Sequence, residues 1–304
     1  MEKRRKASRR EFLKESALAG GGLLGLSGLS SAKGNTAATS TPNEATIRPL
    51  ALRCEYREDP LGIDALQPRL SWLLESTDPG ARGQVQTAYQ VLAASSEERL
   101  GSGHGDLWES GKIQSDRSTQ VVYGGKPLAS RQRAWWKVRV WDKAGRVSPW
   151  SKTAYWSMGL VSNADWTGKW IGLDRGEDGA GAGGAERRVL PARMLRKDFR
   201  VEGEVRRATL YLSGLGLFEA YLNGRKVSAD VLAPALSDYD RRVFYLTYDV
   251  TGDIKPGDNA IGVILGNGRF FAPRLKDPPT RTFGFPKLLL QLEIERSDGK
   301  MEPI

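Results

Sequence analysis

Short alternating runs cut by turn residues leave this chain few options besides stacked β-sheets. Trp135-Trp-Lys-Val-Arg-Val-Trp141 sets the pattern. Successive side chains of a strand point to opposite sides, so Trp135, Lys137, Arg139 and Trp141 share one face and Trp136, Val138 and Val140 the other. Similar runs are Leu50 to Tyr56, Arg69 to Glu75, Thr87 to Ala93, Gln120 to Tyr123 and Ala154 to Met158. The gaps hold turn formers: Asp78-Pro-Gly, Gly124-Gly-Lys-Pro and Lys143-Ala-Gly. Glu97 to Leu100 makes at most a turn of helix. No long amphipathic helix is expected beyond the N-terminal segment.

About seven strands in some 110 residues predict an antiparallel β-sandwich of immunoglobulin or fibronectin type III kind over residues 47–162. All nine tryptophans lie between Trp72 and Trp170. The alternation puts Trp136 with the aliphatics, so the rings serve first as core, because a small domain needs large side chains to bury enough area. Trp135 and Trp141 share their face with charges and are expected at an interface with another module.

A second β-module is expected over residues 163–304, jelly-roll-like, with strands at Met194 to Val201, Arg207 to Leu212, Val243 to Val250 and Ala260 to Leu265. Phe218 to Val227 is the clearest hairpin, since Asn223-Gly224 supplies the positive φ angles of a type I′ turn. The Gly-rich run between Asp174 and Glu186 lacks a following Lys-Ser/Thr and reads as a surface loop rather than a phosphate cradle. Lys287 to Arg296 is a strong apolar strand followed by a Ser297-Asp-Gly-Lys300 turn. Four residues including Pro303 are too few for a returning strand, so an apolar edge is expected to stay unpaired and the module to be incomplete.

Of 304 residues, 46 are Lys or Arg and 36 Asp or Glu, a formal net charge of +10. Half of that surplus sits in residues 1–33, which carry eight basic and three acidic residues. The remaining +5 is spread out, with no basic helix or stripe, and nucleic acid is excluded as a partner. A basic start, a short Gly-rich apolar stretch from Ala17 to Leu29 and Ser30-Ser-Ala32 form the pattern of a removable export signal. Ser8-Arg9-Arg10-Glu11-Phe12-Leu13-Lys14 resembles the twin-arginine signal motif, with Arg9 and Arg10 as the pair read by the export machinery. The apolar stretch is shorter than the roughly 20 residues a helical span needs, so no stable membrane span is expected after signal removal. Residues 1–32 are thus read as signal, 33–46 as a small polar linker, and the mature protein as periplasmic or extracellular. A single cysteine, Cys54, excludes an intrachain disulfide framework, and a single histidine, His104, excludes a His-rich zinc site. No metal or cofactor is implied.

From Leu50 to Gly299 the chain resembles the N-terminal part of bacterial α-L-rhamnosidases of glycoside hydrolase family 78. Asp59-Pro-Leu-Gly-Ile-Asp64 and Pro68-Arg-Leu-Ser-Trp72 carry the likeness, with Gln86 to Leu92, Leu107-Trp-Glu-Ser-Gly111, Trp135 to Asp142 and Ser157-Met-Gly159. In the second module Trp170-Ile-Gly172, Leu210 to Gly216, Tyr221-Leu-Asn-Gly224, Tyr239 with Arg241-Arg242, Tyr248 to Thr251 and Leu265-Gly-Asn-Gly268 complete it. The resemblance implies a fibronectin-type domain, then a β-sandwich, then further β modules and an (α/α)₆ barrel. It also implies inverting hydrolysis of terminal α-L-rhamnose, in which one carboxylic acid protonates the leaving oxygen and a second carboxylate activates water. Both groups belong to the barrel, and no position here matches them. Some members carry an inserted calcium-dependent rhamnose-binding module, for which the stretch between Gly172 and Met194 leaves no room.

Two functions follow. The first is an exported scaffold for a catalytic barrel that is not in this sequence, so that the chain alone is inactive. The second is a non-catalytic carbohydrate-binding or adhesion protein. The surface at stake in both is formed by Asp238, Tyr239 and Arg241 with Asn267, Phe270 and Phe271, where polar groups and rings meet either a sugar or a neighbouring domain.

Overall fold

A computed structural model of the chain describes residues 44–173, 190–271 and 283–304. The export signal with Arg9 and Arg10, most of the linker and the Gly-rich stretch after Asp174 lie outside these residues. Residues Thr41–Ile304 form one compact unit, and within it two antiparallel sandwiches follow each other. No helix among the described residues is long and apolar enough to cross a membrane.

The first sandwich contains β1 (Ile47–Cys54), β2 (Arg69–Ser76), β3 (Gln86–Ala94), β4 (Trp108–Glu109), β5 (Ile113–Gln114), β6 (Val121–Val122), β7 (Arg133–Asp142) and β8 (Ala154–Ser157). One sheet runs β1-β2-β6. The other runs β4-β3-β7-β8, with β5 also on β3. The burial of β7 alternates along its whole length, with Ala134, Trp136, Val138, Val140 and Asp142 inside. Trp72, Trp136 and Trp156 are fully buried and join Leu70, Val91 and Tyr123 between the sheets. Trp136 sits in the core, as the alternation predicts.

Trp135 and Trp141 are half-buried and find partners within their own module. Trp135 packs with Trp150 on Leu92, Ala94 and Leu100, the last presented by the short helix α1 (Glu97–Gly101). Trp141 stands between Lys112 and Arg139, and Trp150 between Arg139 and Lys137, each cation 4.7–5.4 Å from a ring centroid. Cations over ring faces are attracted by the ring quadrupole. Their contacts among the described residues lie within their own module.

The second sandwich contains β9 (Ile171–Gly172), β10 (Arg193–Val201), β11 (Val205–Leu215), β12 (Leu217–Leu222), β13 (Arg225–Lys226), β14 (Leu246–Asp249), β15 (Gly257–Gly266), β16 (Lys287–Arg296) and β17 (Met301–Pro303). One sheet runs β10-β15-β12-β13. The other runs β14-β11-β16-β17, with β9 also on β16. Leu210, Leu212, Leu222, Leu265, Leu292 and Ile294 are fully buried between them. The predicted hairpin forms as β12 and β13, with Asn223 at φ 51° and Gly224 at φ 81°.

The end of the strong apolar strand behaves differently from the sequence reading. Met301–Pro303 does return, pairing Glu295 with Met301 and Glu293 with Pro303, and Ile304 N–H donates to the Leu292 carbonyl at 2.8 Å. Pro303 is tolerated because β17 is the outermost strand of its sheet, where a missing N–H costs no ladder bond. The edge of β16 is thus covered along part of its length by β17 and β9.

Candidate functional site

The six residues singled out from sequence fall on two neighbouring loops of the second sandwich. Tyr239 lies edge-on to Phe270, with ring centroids 5.2 Å apart, and at the same separation from Phe283. Phe270 and Phe283 stack at 5.9 Å, and Phe271 stacks on Phe285 at 5.6 Å. Offset-stacked and edge-to-face pairs of this kind add to area burial. Burial is also what raises the Tyr239 phenol above its ordinary value, against the pull of Arg269. Asp238 works locally: its carbonyl accepts from the N–H groups of Arg241 and Arg242, and its carboxylate meets Arg241 at 3.4 Å. The Arg241 side chain is almost wholly exposed. The Asn267 amide donates to the Leu190 carbonyl at 2.7 Å, while its buried Oδ1 has no partner among the described residues. The structure therefore brings Tyr239 and Phe270 together with Phe283 in one aromatic cluster, and pairs Phe271 separately with Phe285. It keeps Asp238 and Arg241 as a turn at the rim.

The joint between the two sandwiches is built more tightly. Arg131 precedes β7 and points out of the first sandwich. Its guanidinium forks onto Glu293 of β16, with Nε–Oε2 at 2.7 Å and Nη2–Oε1 at 2.6 Å. The same group reaches Asp165 in the connecting segment, at 3.1 Å to the carboxylate and 2.9 Å to the carbonyl. Gln291 lies beside Glu293, donates to it at 2.6 Å and accepts from the N–H groups of Thr167 and Gly168. Arg131 holds φ at 70°, a backbone region costly for a side chain of this size, and the bonds at its tip maintain that geometry.

Aromatic and steric contacts extend the joint. Trp166 stands edge-on to both Tyr211 and Tyr245, with centroids at 6.3 and 5.4 Å. Leu160 N–H donates to the Tyr245 hydroxyl at 3.0 Å, and Arg133 meets Asp249 at 3.2 Å. Gly62 and Gly159 lie directly against Thr247 and Tyr245, where any Cβ would collide. Burial raises the Tyr245 phenol, and burial together with the Glu293 charge raises that of Tyr211, so both rings stay neutral at ordinary pH. Sequence reasoning missed this network. The one signal was Gln291 and Glu293 alternating with Leu290, Leu292 and Ile294. That pattern reads as a solvated outer face, yet both polar residues are buried.

Two tandem antiparallel sandwiches, joined by a partly buried ionic and aromatic network and carrying aromatic clusters on one set of loops, define a multi-module β-protein. Residues 49–162 match the Rha78A-like N-terminal immunoglobulin domain, and residues 203–304 the α-L-rhamnosidase N-terminal domain. The chain thus carries the N-terminal region of an α-L-rhamnosidase. An α-L-rhamnosidase of Formosa agariphila is 35% identical over 261 residues, 80% of this chain and 27% of that protein. One of Alteromonas sp. (strain LOR) is 38% identical over 79% of this chain and 26% of its own length. Among solved structures, the α-L-rhamnosidase of Dictyoglumus thermophilum superimposes with a TM-score of 0.74 at 37% identity, over 84% of this chain and 28% of that one. The Streptomyces avermitilis enzyme, complexed with L-rhamnose, gives 0.73 at 27% identity, over 85% of this chain and 40% of that one. The chain spans about a quarter of the length of the first two relatives.

The joint has an acid-sensitive member. The Ser130 hydroxyl first, then the Ser162 N–H and Arg131, hold the Asp165 carboxyl below the usual carboxylate range, against a smaller opposing effect of burial. A lowered folded value means that its contribution is complete above the unfolded value, about 3.9, and is lost as pH falls through the folded one. Urea unfolding of the protein between pH 5 and pH 2 should show this loss. Asp165→Asn should be less stable at pH 5 and lose less on acidification. Equal acid slopes in the two proteins would remove Asp165 from the joint.

Proposed function

We propose that this chain is the exported scaffold region of an α-L-rhamnosidase of glycoside hydrolase family 78. Residues 47–162 and 163–304 are its two modules, and they act as one rigid block against which a catalytic (α/α)₆ barrel is seated. The substrates of the whole protein are glycosides ending in α-L-rhamnose, cleaved with inversion by a general acid and a general base.

The observation that carries this reading is the Arg131–Glu293–Asp165 joint. Modules that merely tether an enzyme to its substrate need only a flexible link. A buried fork between two sandwiches fixes their relative geometry, which is what a seat for a third domain needs. The aromatic patch supports the same reading. Phe270 is 7% exposed and its ring is stacked on Phe283 and capped by Tyr239. Rings held against one another have little free face for stacking a sugar and serve better as the packed side of a domain contact. Asp238, Tyr239, Arg241, Asn267, Phe270 and Phe271 are accordingly read as contact residues of that seat.

The purified chain should release no detectable nitrophenol from 4-nitrophenyl α-L-rhamnoside. Clear turnover by the pure protein would overturn the scaffold reading. The resemblance of Ser8 to Lys14 to a twin-arginine motif supports export of the folded protein. In a bacterial host with that export route, Arg9→Lys with Arg10→Lys should leave the chain in the cytoplasmic fraction. Undiminished export of the double variant would contradict a twin-arginine signal.

A further inference from the structure

The first sandwich carries a cleft on the side where β1, the last strand of one sheet, lies next to β8, the last strand of the other. Between β1 and the stretch from Pro149 to Ala154 that leads into β8 is a space of about 720 Å³. Ligand pockets span roughly 300–1,000 Å³. The apolar part of the lining comes from Pro49, Leu52 and Ala154, which are buried, and from Leu50, Ala51 and Trp150 beside them. The rest is charged: Arg48, Glu58, Asp59, Glu75 and Lys152, all exposed. Backbone strain gathers at the same place. Among the described residues, four of the eight non-glycine residues with positive φ fall between Ala51 and Asp59, and two of them, Ala51 at 48° and Asp59 at 44°, line the cleft. Ala51 also sits where the β1–β2 register shifts. Left-handed backbone at such residues is costly and clusters at ligand clamps, and bulges beside binding sites re-aim side chains.

The hydrogen-bonding groups of the cleft say what it can hold. Arg48 donates to Glu75 at 2.6 Å and is engaged. The Lys152 ammonium and the Thr153 hydroxyl have no hydrogen-bond partner among the described residues. Asp59 uses Oδ1 on the Tyr155 N–H at 2.8 Å, which leaves Oδ2 open. Open donors and open acceptors thus stand together beside apolar surface. Three carboxylates against two cations disfavour an anion. No three acidic groups among the described residues converge closely enough to hold a metal ion. We infer that the cleft binds an uncharged oligosaccharide, the glycan that bears the terminal α-L-rhamnose, on the first module. Asp59 and Glu58 accept from sugar hydroxyls, Lys152 and Thr153 donate to sugar oxygens, and Leu50, Leu52 and Ala154 receive the apolar face of a ring. The identity of the glycan rests on the proposed function above, whereas the preference for an uncharged sugar rests on the cleft.

The test titrates the isotope-labelled 304-residue chain with rutinose, an uncharged disaccharide of rhamnose and glucose, and follows the backbone amides by NMR. Saturating shifts should be confined to Leu50 to Leu52, Glu58, Asp59 and Ser151 to Ala154. Lys152→Ala should weaken binding about fivefold or more. Thr153→Trp fills the cleft from its exposed rim and should abolish binding, with an unchanged spectrum elsewhere showing that the variant is folded. The disaccharide of rhamnose with glucuronic acid should bind about fivefold or more weakly than rutinose, because its carboxylate meets three others. Absence of shifts at the cleft at millimolar rutinose overturns the inference. So do shifts that survive Thr153→Trp, shifts confined to the second sandwich, or equal binding of the acidic sugar. Hydrolysis of rutinose is read in parallel. Turnover by the pure chain with shifts at the cleft sinks the scaffold reading and keeps the binding site, and neither shifts nor turnover does the reverse.

Discussion

A single guanidinium holds the two halves of this molecule in register. Arg131 leaves the first sandwich, forks onto Glu293 in the second and grips the Asp165 carboxylate and carbonyl in the segment between them. Planar, bidentate matching of this kind suits arginine and no other side chain. A buried ion pair is not by itself a large net stabiliser, because desolvation offsets most of the attraction. Its weight lies in what happens when one partner is removed. Glu293 is 6% exposed, and stripped of Arg131 it would be a buried charge without compensation. The ion pair therefore acts as a specificity device. It makes one arrangement of the sandwiches far better than its neighbours, and Gly62, Gly159 and the Trp166–Tyr211–Tyr245 rings fill in the contacts that arrangement allows.

Much of the fold was legible because strand alternation and turn chemistry are local. The face of Trp136, the Asn223-Gly224 hairpin and the short helix after Ser96 all follow from residues within a few positions of each other. What sequence left unread was non-local. Trp135 and Trp141 share a face with charges, and charge beside tryptophan suggested an interface. The charges are partners of the rings: Arg139 from the same strand and Lys112 from the segment before β5 stand over Trp141. The returning strand at Met301 was discounted for its length and its proline, yet three residues suffice where an edge leaves the proline nitrogen unneeded.

The candidate site was less legible than the fold. Six residues were gathered from two loops on composition alone. Two of them, Tyr239 and Phe270, share an aromatic cluster with Phe283 from farther along the chain, while Phe271 stacks on Phe285. The joint left almost no trace in sequence. Glu293 and Gln291 look like ordinary outward positions of a strand, and Arg131 like a loop cation. Only the juxtaposition of residues 162 positions apart turns them into a buried network. Polar residues at one domain's outer face and another's inner joint are written identically in a one-dimensional pattern.

The account stands on the two sandwiches behaving as one body because of Arg131. Scanning calorimetry of the full chain against Arg131→Met tests this most directly. The parent protein should unfold in one cooperative transition. The variant should be destabilised by about 3–5 kcal/mol and resolve into two transitions as the sandwiches unfold independently. A variant that melts in the same single transition at the same temperature would show that the joint does not couple the modules.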